Sequence, residues 1–145
     1  MIAIGSDHGG FELKQEVMKH LEERGVEYKD FGCYNTDSVD YPDIARLVCD
    51  AVRNDEAEKG ILICGTGIGM SIAANKFDGI RAALCGDTFS SKFTRRHNNS
   101  NVLCLGGRVT GPGLGCDIVD EFLDNEFEGG RHERRVSKVM DIEKE

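Results

Sequence analysis

Short apolar runs alternate with amphipathic segments along the whole chain. Five such runs predict strands at residues 2–5, 26–31, 61–64, 80–85 and 102–105. Most of these runs are apolar nearly throughout, which is typical of parallel strands that are covered on both faces. The pattern therefore favours a buried parallel sheet.

Apolar residues with helical spacing occupy the intervals between these runs. Leu13, Val17 and Leu21 share one face of a first helix, which Gly25 closes. Pro42 begins a second helix, and residues 69–76 form a third. Further helices are marked by Phe89 and Phe93, by Leu114, Ile118 and Phe122, and by Val136, Val139 and Met140. The alternation predicts an α/β fold, a doubly wound five-stranded parallel sheet of order 2-1-3-4-5 with an additional C-terminal helix.

The length and charge limit the kind of protein and the kind of partner. With 145 residues we expect one domain over residues 1–145, with 128–145 as a C-terminal helical extension. The net charge of −8 disfavours nucleic acid and anionic membrane surfaces as partners. Two basic islands stand out on this acidic background, namely Lys92, Arg95 and Arg96, and Arg131, Arg134, Arg135 and Lys138. They suit a small anionic ligand.

The cysteines and histidines give no metal or disulfide signature. None of the six cysteines forms a CxxC pair, and the four histidines are widely scattered, so no metal is expected. The N-terminus lacks the pattern of a signal peptide, and no apolar run approaches the ~20 residues of a membrane span. We therefore expect reduced thiols and a cytoplasmic location.

Glycine-rich segments follow three of the expected strands. They are Ser6-Asp7-His8-Gly9-Gly10, Gly65-Thr66-Gly67-Ile68-Gly69 and Gly106-Gly107-Arg108. Because parallel strands end at one edge of the sheet, these segments should meet where such folds bind ligands.

The segment Cys64 to Gly69 is the strongest local feature. Its three glycines allow backbone N–H groups to face an oxyanion or phosphate, aided by a helix N-terminus. Cys64 at its entrance could be a reactive thiolate, or simply a small buried residue at a strand end.

The other candidate residues also have two interpretations each. Asp7 and His8 hold ligand hydroxyls or a phosphate, or Asp7 caps the next helix and His8 is a solvated loop residue. His97 and Asn98 are an acid–base group and a hydroxyl binder, or a cationic helix end and its cap. Arg131 and Arg135, at i and i+4, clamp a phosphate or form a solvated face paired with Glu133 or Glu128. Arg108 is weak evidence by itself.

Six segments together resemble the ribose/galactose isomerase family, in family order and over nearly the whole chain. They are SDHGG at 6–10, DYPD at 40–43, ILICGTGIGMSIAANK at 61–76, GIRAALC at 79–85, RRHNNSNVL at 95–103 and EGGRHERRV at 128–136. The resemblance, and not composition or periodicity, favours the functional interpretation of each candidate residue.

The resemblance implies a Rossmann-like homodimer that works on sugar phosphates without metal or coenzyme, with active sites shared between subunits. It assigns Cys64 as the base that moves a proton between C1 and C2, and His97 as the acid that opens the sugar ring. Thr66 and the N–H groups of Gly65, Gly67, Ile68 and Gly69 would steady the enediolate. Asp7, His8 and Asn98 would bind the sugar, and Arg108, Arg131 and Arg135 the phosphate. Some relatives use a glutamate at the position of Met70 instead of the cysteine.

The activity implied is aldose–ketose isomerisation of ribose 5-phosphate and ribulose 5-phosphate, a step of the pentose phosphate pathway. Within enzymes, the alternative is a hexose-6-phosphate isomerase acting on allose 6-phosphate or galactose 6-phosphate. Outside the isomerases, the sequence is also compatible with a non-catalytic sugar-phosphate-sensing module or a thiol redox protein. The redox hypothesis requires Cys85 or Cys104 near Cys64 in space.

Overall fold

The computed structural model describes all 145 residues, with strands and helices alternating along the chain until a sixth helix directly follows the fifth. The elements are β1 (Ile2–Ser6), α1 (Phe11–Glu23), β2 (Tyr28–Asp30), α2 (Tyr41–Arg53), β3 (Lys59–Cys64), α3 (Ile68–Ala74), β4 (Ala82–Leu84), α4 (Thr88–Asn98), β5 (Val102–Gly106), α5 (Pro112–Asp124) and α6 (Arg131–Asp141), with a short 3₁₀ turn at Ile142–Lys144. All strand pairs are parallel. The predicted fold class is confirmed.

The order of the strands differs from the expected one at one end of the sheet. It is β2-β1-β3-β5-β4, so that β5 pairs with β3 and β4 lies at the edge. The expected order, which ended in 4-5, is corrected accordingly. Every residue of β5 is buried, whereas β4 has three residues and is partly exposed. An apolar strand with no exposed residue is stabilised most in the interior of the sheet.

Two apolar cores cover the two faces of the sheet. Leu62, Cys64 and Cys104 belong to the core under α2 and α3. Ile61 and Ile63 belong to the core under α1 and α5. Successive residues of a strand point to opposite faces, and this alternation directs the side chain of Cys64 towards α2 and α3.

The parallel register determines which residues meet at each edge of the sheet. Ser6 pairs with Ile63 and Cys64 with Gly106, so β1, β3 and β5 end together at the carboxyl edge. Each helix returns against the strand direction, which places the end of α4 at the amino edge. No helix is long and apolar enough to cross a membrane.

Candidate active site

Three glycine-rich loops meet at the carboxyl edge of the sheet, as the sequence predicts. The N–H of Gly107 donates to the carbonyl of Cys64 at 2.8 Å, and the N–H of Arg108 donates to the carbonyl of Gly65 at 2.9 Å. The N–H of Asp7 donates to the carbonyl of Ile63 at 3.2 Å. We call the expected site residues on these loops the thiol half-site: Asp7, His8, Cys64, Gly65, Thr66, Gly67, Ile68, Gly69 and Arg108.

The sulfur of Cys64 lies inside the turn of the glycine loop. The N–H of Gly67 points at Sγ, with a nitrogen–sulfur distance of 3.2 Å. Gly67 has a φ of 78°, and a Cβ there would lie 2.8 Å from the backbone carbon of Leu105. Only glycine meets both conditions without strain, so this residue type lets the N–H turn towards the thiol. A thiolate at this position would accept a charge-assisted hydrogen bond.

The remainder of the loop is open on its outer side. Thr66 and Ile68 are exposed, and the hydroxyl of Thr66 accepts from the N–H of Ile68 at 3.3 Å. Gly69 is covered by the ring of Tyr41. The guanidinium of Arg108 lies across Gly65 and forms no ion pair. The loop therefore presents a hydroxyl and a free positive charge beside the thiol.

Asp7 and His8 each use one polar atom to hold the chain. Oδ1 of Asp7 accepts from the N–H groups of Gly9 and Gly10 at 2.9 and 3.1 Å. Nδ1 of His8 accepts from the N–H of Val39 at 3.3 Å. Asp7 thus closes the turn that precedes α1 and does not cap that helix, whose N-cap residue is Gly10. Oδ2 of Asp7 and Nε2 of His8 have no partner within the chain and are available to a ligand.

The remaining expected residues form a second group, at the end of α4 and the start of α6. We call His97, Asn98, Arg131, His132 and Arg135 the imidazole half-site. The rings of His97 and His132 are stacked, with centroids 4.1 Å apart and planes at 8°. His97, Asn98, His132 and Arg135 line one cavity of about 740 Å³. Neither Arg131 nor Arg135 makes an ion pair with Glu133 or Glu128, so the paired solvated face is not observed.

Sequence reasoning did not include His132 and Glu128 among the site residues. Oε1 of Glu128 lies 3.5 Å from Nε2 of His97 and 3.9 Å from Nε2 of His132. Both residues belong to the segment EGGRHERRV, whose resemblance to the family was the sequence signal that could have identified them. No spacing rule showed that α6 folds back onto the end of α4.

These three side chains are also the one group of donors close enough together to suggest a metal, with ligand atoms within 4.8 Å of one another. The two imidazole planes are parallel, however, and a nitrogen lone pair lies in its ring plane. Two stacked rings cannot direct their lone pairs at one ion about 2.0–2.1 Å from each. We assign no metal to this group.

Three other buried cysteines of the core, Cys49, Cys85 and Cys104, are not candidates for a reactive thiol. Burial raises the pKa of Cys49 to about 12 and that of Cys85 to about 11, with smaller contributions from Asp50 and Asp87. Burial also raises the pKa of Cys104 well above its usual value. These three thiols therefore stay protonated near neutral pH, and all six cysteines are free.

The two half-sites of one chain lie at opposite edges of the sheet. Cys64 ends β3, whereas the residues that follow His97 meet its start, where the N–H of Gly60 donates to the carbonyl of Asn101 at 2.9 Å. The six residues of β3 span about 16 Å. One small ligand therefore cannot contact both half-sites of the same chain.

Comparison with known proteins places these features in a family. Residues 2–139 match the description of the ribose/galactose isomerase family. Ribose-5-phosphate isomerase B of Escherichia coli (strain K12) is 51% identical over 142 residues, which cover 98% of this chain and 95% of that protein.

Solved structures give the same result. Ribose-5-phosphate isomerase B of Clostridium thermocellum has a TM-score of 0.97 and 53% identity, over 99% of this chain and 97% of that one. The Mycoplasma genitalium enzyme, solved with bound ribulose-5-phosphate, has a TM-score of 0.93 and 45% identity, over 99% and 96%. By the family match, these identities and the loop geometry, the chain belongs to the ribose/galactose isomerase family.

Proposed function

We propose that this protein is an aldose–ketose isomerase that interconverts ribose 5-phosphate and ribulose 5-phosphate. The observation that carries the proposal is the sulfur of Cys64 held 3.2 Å from the N–H of Gly67 in the glycine loop. This arrangement occurs in a chain that is half identical to ribose-5-phosphate isomerase B. It places a potential base beside fixed N–H donors, which is what proton abstraction next to a carbonyl requires.

The first step is the opening of the furanose ring. The C1 hydroxyl loses its proton to water, C1=O1 forms, and the bond between C1 and the ring oxygen breaks. His97 in its charged form gives a proton to that oxygen, because imidazole changes its charge near neutral pH. Asp7, His8 and Asn98 hold the sugar hydroxyls.

The second step moves the carbon-bound proton. The Cys64 thiolate takes the C2 proton, the electrons of that bond form C1=C2, and the charge moves to O1. Thr66 and the N–H groups of the loop stabilise this enediolate. A proton passes from O2 to O1, and the Cys64 thiol returns its proton to C1, giving the ketose and restoring the thiolate.

The phosphate is bound away from the reacting carbons by arginine. Arg108, Arg131 and Arg135 are exposed and free of ion pairs, so their guanidinium groups are available to phosphate oxygens. Binding the distant phosphate holds C1 and C2 at the thiol.

We further propose that the working site combines the thiol half-site of one subunit with the imidazole half-site of a second. The separation of about 16 Å within one chain supports this assembly. So does the exposed apolar surface around the thiol half-site, where Ile68, Ile72 and Leu84 are 51%, 58% and 42% exposed. On α6, Val139 is 56% exposed, consistent with docking across a two-fold axis.

The alternative is an isomerase of hexose 6-phosphates. The test is a coupled isomerase assay with no added metal, comparing ribose 5-phosphate with allose 6-phosphate and galactose 6-phosphate. We expect the highest kcat/KM for ribose 5-phosphate. A higher value for either hexose phosphate would replace the proposed substrate. No turnover of any of the three, by a folded protein that still binds them, would favour a sugar-phosphate sensor.

A further inference from the structure

The carboxylate of Glu128 is directed at His97 by the loop between α5 and α6. The backbone N–H of Glu128 donates to the carbonyl of Arg96 at 2.9 Å, which ties this loop to the last turn of α4. Oε1 of Glu128 then lies 3.5 Å from Nε2 of His97. Oε2 lies 4.0 Å from Nη1 of Arg96. The backbone contact thus places the carboxylate opposite one nitrogen of the imidazole.

Two neighbouring rings restrict the orientation of His97. The ring of His132 is stacked on it with centroids 4.1 Å apart. The ring of Phe93, one turn earlier on α4, has its centroid 4.9 Å away at an angle of 51°. Turning the plane of the imidazole would break the stack, so the ring keeps the plane in which one of its edges faces Glu128.

A carboxylate beside one imidazole nitrogen determines which nitrogen carries the proton. Neutral imidazole has one N–H and one lone pair, and an ionised carboxylate only accepts hydrogen bonds. The contact therefore favours the tautomer with the proton on Nε2, and the lone pair is left on Nδ1. The distance of 3.5 Å is longer than a hydrogen bond, as is common for such contacts before the substrate binds.

We propose that Glu128 is a positioning residue, which holds neutral His97 with its proton on Nε2 and leaves Nδ1 to exchange a proton with the sugar ring oxygen. The inference rests on the proposed ring-opening role of His97. During ring opening, charged His97 keeps its Nε2 proton towards Glu128 and gives its Nδ1 proton to the ring oxygen. The bond from that oxygen to C1 breaks while the C1 hydroxyl loses its proton to water and becomes the carbonyl.

Several other charged groups lie around the two imidazoles. They are Arg96 on α4, Arg131 and Arg135 on α6, and Arg81 and Glu143 further along the cavity lining. Glu128 is the one carboxylate within 4.0 Å of His97. Burial, and then His97 and Arg131, lower the pKa of His132. His132 is therefore neutral near pH 7 and does not compete for the charge.

The kinetic test compares Glu128→Gln with Glu133→Gln, a matched loss of charge at an exposed position of α6. From ribose 5-phosphate, Glu128→Gln should lower kcat on the order of tenfold. A correctly oriented acid–base group accelerates its step by about 10²–10⁴-fold, and the variant loses part of this acceleration because His97 is misoriented. From ribulose 5-phosphate, which has no furanose ring to open, the initial rate should fall less. KM should stay within about twofold because the phosphate contacts remain. Glu133→Gln should match the wild type.

The second measurement uses the wild-type protein and does not depend on a variant. Nitrogen-15 spectra of the labelled protein, recorded at a pH at which imidazoles are neutral, should show His97 in the Nε2-protonated tautomer, and Glu128→Gln should give a mixture of tautomers. With four histidines in the chain, single substitutions assign each signal.

Three results would overturn the role of Glu128. They are a Glu128→Gln variant within twofold of wild type in both directions, equal losses for the cyclic and the linear substrate, and a wild-type His97 protonated on Nδ1. A wild-type protein with no activity on either pentose phosphate would instead reject the proposed function. The two failures are therefore distinguishable.

Discussion

Cys64 differs from the other buried thiols in what surrounds its sulfur. Cys49 and Cys85 have raised pKa values of about 12 and about 11, and burial is the largest cause for both. The sulfur of Cys64, in contrast, accepts the N–H of Gly67 at the end of a central strand. At the scale of single residues, the proposed reactivity of Cys64 therefore rests on one backbone N–H directed at one sulfur.

The first prediction concerns this thiol. Cys64→Ala should abolish isomerisation and leave ribose 5-phosphate binding largely intact, because the base is lost while the phosphate contacts remain. Alkylation should inactivate the wild type, and bound sugar phosphate should slow the inactivation. The matched control is Cys116→Ala, which removes a half-exposed thiol on α5 and should change neither result. Activity of Cys64→Ala within a few-fold of wild type would exclude Cys64 as the base.

The second prediction concerns the phosphate. Arg135→Ala should weaken ribose 5-phosphate binding by about 1.5–3 kcal/mol, since one charge-assisted contact is lost. Arg134→Ala removes the same charge from the next position of α6, which points about 100° away, and should have a small effect. Titration calorimetry of both variants measures the difference. Equal affinities for Arg135→Ala and wild type would return Arg135 to a solvated helix face.

At the scale of elements, a buried lysine fastens helix α1 to the segment after β2. Lys14 is fully buried, and its Nζ donates to Oδ1 of Asp30 at 2.6 Å and to the carbonyl of Cys33. The N–H of Cys33 in turn donates to the carbonyl of Ser6 at the end of β1. This group of contacts lies next to Asp7, so the thiol half-site depends on it for support.

The third prediction follows from that arrangement. Lys14→Met keeps the length of the side chain but removes the side-chain donor to the carbonyl of Cys33 and one of the two donors to Oδ1 of Asp30, the other being the N–H of Gly32. It should lower the free energy of unfolding by about 1–3 kcal/mol. Lys19→Met, on the exposed face of the same helix, should change it by less than about 0.5 kcal/mol. Urea denaturation at one protein concentration measures both variants. An equally stable Lys14→Met protein would show that the buried contacts contribute little.

At the scale of the whole molecule, one chain carries two halves of a site that cannot meet. The thiol half-site lies at the carboxyl edge of the sheet and the imidazole half-site at the amino edge, about 16 Å apart along β3. The proposed assembly about a two-fold axis would bring the thiol half-site of one chain to the imidazole half-site of another.

The fourth prediction tests this assembly by mixing two inactive proteins. Cys64→Ala and His97→Asn chains, unfolded and refolded together, should regain roughly a quarter of the wild-type activity, because half of the dimers are mixed and each mixed dimer holds one intact site. A mixture of Cys64→Ala with Cys64→Ala, Thr66→Ala chains is the control and should stay inactive. Inactive mixed dimers, verified by mass and folded, would rule out a shared site.

The sequence by itself determined the fold class and the family, and it supplied most of the candidate site residues. Apolar runs of strand length indicate strands that are buried on both faces. The segments from SDHGG to EGGRHERRV carry the resemblance to the family, which the family match confirms. The order of the last two strands was decided only by the tertiary structure, because it depends on how completely β5 and β4 bury their side chains against neighbours distant in sequence.

The positions of the two half-sites within one chain also needed the tertiary structure. The resemblance implies a site shared between subunits, but only the course of α4 back along the sheet shows that Cys64 and His97 lie at opposite edges. The contact between Glu128 and His97 likewise depends on the loop between α5 and α6 lying against the end of α4. Local sequence patterns indicate burial and secondary structure over a few residues. Distances between residues far apart in sequence depend on the packing of the whole chain.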